Sequence, residues 1–244
     1  MSTNVLILAA GRAQAPDAAP GKSYPLCLTE LDGRSLIEKI YLNTRAIEAP
    51  CYYVAVLASD VRRFHLDKVV QQLIPGVTIV VIPENTAGAA CTALLAAVRM
   101  EAEAPLLIVG ANELVDLDLA LVLADFQARG LDGGAVTFRS LHPRYSYVKL
   151  DADQRVVECT AQEPISQHAT SGIFWYARTA DYVEGAKALI RKDASVDGTF
   201  FVAPVFNELI LQLRSIGVYP IPATRYIPLK TEQQVWRYEA GANP

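Results

Sequence analysis

Four short apolar runs, at residues 5–8, 52–57, 77–82 and 105–109, recur with helical stretches between them, and this rhythm constrains the fold more than any other feature of the chain. Residues 35–45 carry Leu36, Ile37, Ile40 and Tyr41, an i, i+1, i+4, i+5 stripe that follows the turn residues Asp32 and Gly33. Residues 61–73 form a second helical stretch, with Asp60 as its cap and Pro75-Gly76 as its stop. Thr86 and the small run 87–90 lead into a third, which continues to Met100. The order β-α-β-α-β-α-β predicts a parallel sheet covered by helices on both faces.

Beyond residue 118 the rhythm changes. Residues 119–127, 179–192 and 205–217 read as helices, the last ended by Gly217. Residues 135–138, 171–176 and 218–221 read as strands, and 147–150 and 156–159 flank a hairpin turn at 151–153. The fold class expected is α/β, with a mixed, mainly parallel sheet flanked by helices. The joints are short and no repeat interrupts them, so the chain is expected to form one domain, with a first half at 1–118 and a second at 119–244.

In open α/β sheets, ligands sit beyond the carboxyl ends of the strands. Three segments fall there: 9–12, 83–90 and 110–116, each small or polar where its strand is apolar. Ala9, Ala10 and Gly11 allow close approach of a ligand to the main chain, and Arg12 and Lys22 place positive charge nearby, a combination suited to phosphate oxygens.

Composition narrows the remaining classes. The net charge is −4 and 52% of residues are hydrophobic, with no Lys/Arg-rich run, so no footprint for nucleic acid or anionic lipid is present. Cys27, Cys51, Cys91 and Cys159 fit neither zinc nor CxxC spacing and are expected to be reduced, buried small residues. No apolar run approaches the roughly 20 residues that span a bilayer, and no secretory leader is visible, so a cytoplasmic location is expected. His65, His142 and His168 are scattered, and no Ser/His/Asp grouping supports hydrolase chemistry.

Several segments, in order, carry a resemblance: LILAAGR at 6–12, PLCLTELDGRSLIE at 25–38, IPENTAGAACTALLAA at 82–97, PLLIVGANELVDLD at 105–118, LDGGAVTF at 131–138, HPRYSYVKLD at 142–151, EPISQHATSGIFWY at 163–176 and FFVAPVFNELI at 200–210. Together they resemble the sugar-phosphate nucleotidyltransferase family, and more narrowly its short bacterial members associated with capsule and surface polysaccharide. The resemblance implies a Rossmann-like, GT-A-type fold. It implies transfer of a nucleoside monophosphate from an NTP to a phosphorylated small-molecule acceptor, with Mg2+ neutralising the phosphates and pyrophosphate leaving. Carried over, it places Ala9, Ala10, Gly11, Pro83, Asn85, Gly88 and Ala89 at the nucleotide, Arg12 and Lys22 at its phosphates, and Lys149, Glu163, Thr170 and Gly172 at the acceptor. Asn112 falls where the family has a magnesium-binding Asp, and Glu113, Asp116 or Asp118 could replace it if the loop is rearranged.

The chain departs from the pattern at several of these points. The Gly-rich loop reads Arg12 to Gly21 with glycine only at its end, the family's Pro-Lys-Pro-Leu reads Pro25-Leu26-Cys27-Leu28, and the metal position holds a neutral Asn112. Two alternatives therefore stand beside the enzyme: a non-catalytic homologue that binds a nucleotide or nucleotide sugar, and a glycosyltransferase-like enzyme that uses a nucleotide sugar. A homodimer is the assembly expected.

Overall fold

Residues 3–7 are buried on both sides of the strand, which places this segment at the centre of a sheet rather than at its edge. The structure, a computed structural model, describes residues 2–11, 24–84, 86–229, 234 and 238. Strand β1 (Thr3–Leu8) is followed by a small hairpin of β2 (Glu30–Leu31) and β3 (Arg34–Ser35), and then by α1 (Leu36–Thr44). Ser35 caps α1 by accepting a hydrogen bond from the Glu38 N–H. Strand β4 (Pro50–Leu57), helices α2 (Ala58–Phe64) and α3 (Leu66–Leu73), β5 (Thr78–Ile82), α4 (Ala89–Ala97) and β6 (Leu106–Gly110) complete the alternating half.

The second half contains β7 (Glu113–Val115), α5 (Leu119–Ala128), β8 (Gly133–Arg139), β9 (Ser146–Leu150), β10 (Val156–Ala161) and β11 (His168–Tyr176). After these come α6 (Thr179–Arg191), α7 (Val205–Ile210), β12 (Ile216–Pro220) and β13 (Tyr226–Pro228).

Among the described residues one nine-stranded sheet runs β10-β9-β11-β6-β1-β4-β5, with β8 paired to β11 and to β12. The four strands β5, β4, β1 and β6 are parallel, and β11 joins β6 antiparallel. The chain thus forms an α/β fold with a mainly parallel centre, a mixed second half and helices on both faces. Strand alternation explains the layering. Val5, Ile7, Val54, Val56, Leu107 and Val109 point into one apolar layer, which α1, α3 and α5 cover. Leu6, Ala55, Leu106, Ile108, Phe174 and Tyr176 point into the other, covered by α4, α6 and α7. Each fully buried aliphatic side chain contributes about 1.5–3 kcal/mol. No helix among the described residues is long and apolar enough to cross a membrane.

Three local expectations are corrected. The helix expected at 61–73 is two helices, because His65 adopts φ +51° and its N–H closes α2 on the Val61 carbonyl. The helix expected at 205–217 stops at Ile210: Leu213 is left-handed, and the Arg214 N–H bonds back to the Leu209 carbonyl. This reversal lets Gly217 lie inside β12 rather than end a helix, and a Cβ there would meet Leu131 at 2.5 Å. Cys27 and Cys159 are buried as expected, but Cys51 is exposed on β4, where burial falls off at the strand's start, and Cys91 is half-buried. Burial raises the Cys27 thiol to about 12, so at neutral pH it is an inert packing group.

Candidate functional site

The chain reverses its direction of growth across the sheet between β1 and β6, and that is where ligands collect in open α/β folds. A cavity of about 450 Å3 opens there, a size that admits a small organic ligand. Four groups of residues, from both halves of the chain, build its walls.

The first wall follows β1. The Ala9 N–H donates to the Ala55 carbonyl and Ala9 itself is buried in the core, so it supports the turn while Ala10 and Gly11 face the cavity. Arg12 and Lys22 lie outside the described residues. The second wall follows β5. Glu84 accepts the Ser59 N–H at 2.7 Å, and the Thr86 and Thr92 hydroxyls are hydrogen-bonded at 2.9 Å. Gly88 precedes α4 at φ +116°, and a Cβ on it would come within 2.5 Å of the Phe200 carbonyl oxygen. Glycine is required because the flanking backbone is clamped. The Phe200 N–H donates to Ala87 at 2.7 Å, and the Ala90 N–H donates to Phe200 at 3.0 Å. Gly88 and Ala89 line the cavity, Pro83 lies outside its lining, and Asn85 lies outside the described residues.

The third wall follows β6. Asn112 and Glu113 both line the cavity, and both send a side-chain oxygen to 3.0 Å from where a Cβ on Gly110 would stand. Glu113 opens β7, whose antiparallel partner β13 brings Tyr226 against it, and the Tyr226 hydroxyl donates to Glu113 Oε2 at 2.6 Å. Burial, with the Glu113 charge beside it, pushes the Tyr226 phenol well above its usual value, so it stays a donor.

The fourth wall is β11 with the β8–β9 loop. Thr170 and Gly172 line the cavity where β11 breaks register with β8 between Thr170 and Phe174. Gly172 takes φ +75°, and its missing side chain is where Glu113 lies: a Cβ there would sit 1.6 Å from Glu113 Oε1. Arg144, Tyr145 and Ser146 close the mouth from the loop.

Lys149 and Glu163 do not reach this lining. Lys149 is exposed on β9, 3.6 Å from the Glu158 carboxylate. Glu163 is exposed just past β10, where its main-chain carbonyl accepts the Thr160 hydroxyl. Asp116 is exposed, and its N–H donates to the Arg225 carbonyl, while Asp118 caps α5 through the Ala120 N–H at 3.0 Å. Arg144 and Tyr226 escaped the sequence reading, which weighed Glu113 only as a replacement metal ligand. Glu113 carried a signal, being an acid directly after a buried strand end, but only the fold reveals that Tyr226 meets it.

Asn112 Oδ1 and Glu113 Oε1 are the oxygen donors that the described residues bring together on the β6 wall, and no group of three or more His, Cys, Asp or Glu that could hold a metal by itself occurs among the described residues. One carboxylate beside substrate phosphates is the usual setting for magnesium, so these donors fit an ion that arrives with a nucleotide.

No family model matches the chain, and no curated protein matches it by sequence. Solved structures do. A nucleoside-diphosphate-sugar pyrophosphorylase from Vibrio cholerae RC9 superimposes with a TM-score of 0.76 at 18% identity, covering 97% of this chain and 99% of its own. A candidate glucose-1-phosphate thymidylyltransferase from Bacillus anthracis, solved with sucrose, gives 0.75 at 15% identity, covering 99% and 95%. A CMP:2-keto-3-deoxy-manno-octonic acid synthetase solved with CTP gives 0.66 at 14% identity, covering 98% and 97%. At these identities the likeness establishes the fold, shared over essentially the whole length of each chain.

Proposed function

We propose that this chain is a nucleotidyltransferase that moves a nucleoside monophosphate from an NTP to a sugar phosphate or related phosphorylated acceptor, within surface-polysaccharide precursor synthesis. The observation that carries this reading is the single cavity at the β1/β6 reversal. It is walled by Gly11 and Gly88 on one side and by Thr170 and Gly172 on the other, so two ligands can meet end to end. The nucleotide half, 1–118, contributes the first three walls, and the acceptor half, 119–244, the fourth. The full-length likeness to a nucleoside-diphosphate-sugar pyrophosphorylase supports the reading.

In this reaction an acceptor phosphate oxygen forms a bond to the α-phosphorus while the bond to the bridging oxygen breaks, and the electron pair leaves with pyrophosphate. The described residues contribute by binding and alignment. Gly88 and Gly11 let the main chain approach the nucleotide, and the Glu113–Tyr226 pair and Gly172 shape the acceptor floor. Holding the two phosphates in line is the main source of rate in such a site. Magnesium, when bound with the nucleotide, would neutralise its phosphates, with Asn112 and Glu113 as the described oxygen donors on the β6 wall. Arg12, Lys22 and Asn85 are assigned to the nucleotide on the family resemblance alone.

A second reading has its own support. The neutral Asn112, in the place where the resemblance implies an acidic metal ligand, favours a nucleotide-binding protein without turnover. Calorimetry with CTP, UTP, dTTP, ATP and GTP tests the shared premise, and at least one is expected to bind. Binding by none refutes both readings. Pyrophosphate release with a panel of phosphorylated sugars is then expected for the enzyme, and nucleotide binding without release identifies the second.

A further inference from the structure

We infer that Arg144 is the residue that binds the anionic group of the acceptor, and that His142 holds its guanidinium in place. The inference rests on the proposed reading of the cavity as a site for nucleotide and acceptor together. It begins with the charges around the cavity. The charged residues of the described lining are Glu84, Glu113 and Arg144. The two carboxylates stand on the β5 and β6 walls, where Glu84 accepts the Ser59 N–H and Glu113 the Tyr226 hydroxyl, and neither offers a cation to the acceptor. Glu113 is held rigidly, clasped by Tyr226 on one side and seated over Gly172 on the other. A phosphorylated or carboxylated acceptor therefore lies with its anion turned away from the floor and its hydroxyl-bearing part toward it. The loop that closes the mouth carries Arg144, the cation among the described lining residues.

Arg144 is built for this task. Its Nε donates to His142 Nδ1 at 3.2 Å, its Nη2 lies 3.1 Å from His142 Nε2, and its own main-chain N–H lies 3.3 Å from Nδ1. The guanidinium stands 5.9 Å from the centroid of the Tyr145 ring, which also lines the cavity. Its partners are thus an imidazole and an aromatic face, and no carboxylate among the described residues neutralises it. Pro143, between the two residues, fixes one backbone dihedral of the turn. An arginine with no carboxylate against it keeps its full charge and presents a planar fork to two oxygens of a phosphate or carboxylate. The flanking cations are engaged away from the lining, Lys149 with Glu158 and Arg139 with the Gln167 side-chain oxygen.

The test uses glucose 1-phosphate, glucuronate and glucose as probes in calorimetry on the full chain, with an NTP titration of each variant as the control. Wild-type protein is expected to bind at least one of the two anionic probes more tightly than glucose, and which of the two it prefers separates phosphate from carboxylate. Arg144→Ala is expected to weaken that probe by about tenfold or more, with NTP affinity held within about twofold, because a charge-assisted pair is removed. Arg144→Lys is expected to recover part of the loss. His142→Ala is expected to give a smaller loss, and Arg144→Ala/His142→Ala to be no weaker than Arg144→Ala, since a positioning residue has nothing to position once the arginine is gone. Unchanged binding of the anionic probe in Arg144→Ala, or no preference for either anion over glucose in wild type, overturns the assignment. Loss of NTP affinity to the same extent as the anionic probe also overturns it. A wild type that binds no NTP overturns the reading of the cavity itself.

Discussion

Gly172→Ala is the substitution that most directly tests how the cavity floor is built. Gly172 sits at φ +75°, where a residue with a Cβ costs about 1–2 kcal/mol. The new methyl would stand 1.6 Å from Glu113 Oε1 and 2.6 Å from its Cδ, so the carboxylate must leave. Leaving separates it from the Tyr226 hydroxyl, 2.6 Å away, and strands a buried partner at about 1–3 kcal/mol. The expected loss of stability is the sum, about 2–5 kcal/mol. The two parts are separable. In a Glu113→Ala background the clash is gone, so Gly172→Ala retains only the backbone cost, and the two substitutions couple by about 1–3 kcal/mol. Urea denaturation followed by circular dichroism and by tryptophan fluorescence, for which buried Trp175 is a reporter, measures all four proteins of the cycle. Additive losses, or a Gly172→Ala cost below about 0.5 kcal/mol, would refute the idea that this glycine exists to seat Glu113.

Three further outcomes follow from the same geometry. Gly88→Ala forces its Cβ to 2.5 Å from a clamped carbonyl at φ +116°, so a stability loss of about 2–4 kcal/mol and weaker NTP binding are expected, both readable by thermal shift with and without nucleotide. Lys149→Ala breaks an exposed 3.6 Å pair, so it is expected to cost less than about 1 kcal/mol and to leave glucose 1-phosphate binding unchanged; a large loss of binding would return the acceptor anion to β9. Burial raises the Tyr176, Tyr182 and Tyr226 phenols above their usual value in the fold, so their contribution is complete below about pH 10 and is lost above it, as the unfolded chain ionises first. Urea midpoints are therefore expected to hold steady from about pH 8 and to fall toward pH 11, and native tyrosines that all titrate near 10 would contradict this.

What could be read from the sequence was local in origin. Two-sided apolar runs at 5–8 and 105–109 identify central parallel strands because no edge strand tolerates such a pattern, and the helices between them follow from their stripes. The ends of those strands place Ala10, Gly11, Gly88, Ala89 and Asn112 around one cavity for the same reason. Lys149 shows where this stops working. Tyr147 and Val148 are buried on the two faces of β9, and β9 pairs with β11 only there. Lys149 lies past that paired stretch, on a hairpin tip where its register partner is Glu158, and no sequence pattern records where pairing ends.

The contacts that sequence reading missed share a different cause. Glu113 is buried because three elements converge on it. β6 delivers it to the cavity, β13 returns more than a hundred positions later with Tyr226, and the bulge in β11 leaves Gly172 open beneath it. Each partner alone looks ordinary: a tyrosine in a short strand, a glycine in a longer one, an acid after a strand end. A buried carboxylate is tolerated only when its oxygens are satisfied, so the convergence is a physical requirement rather than an accident of packing. That requirement also explains why the acceptor's anion must look elsewhere. A floor that has to hold a carboxylate in place offers no cation to a phosphate, and the cation of the described lining, Arg144, is carried by the β8–β9 loop of the fourth wall.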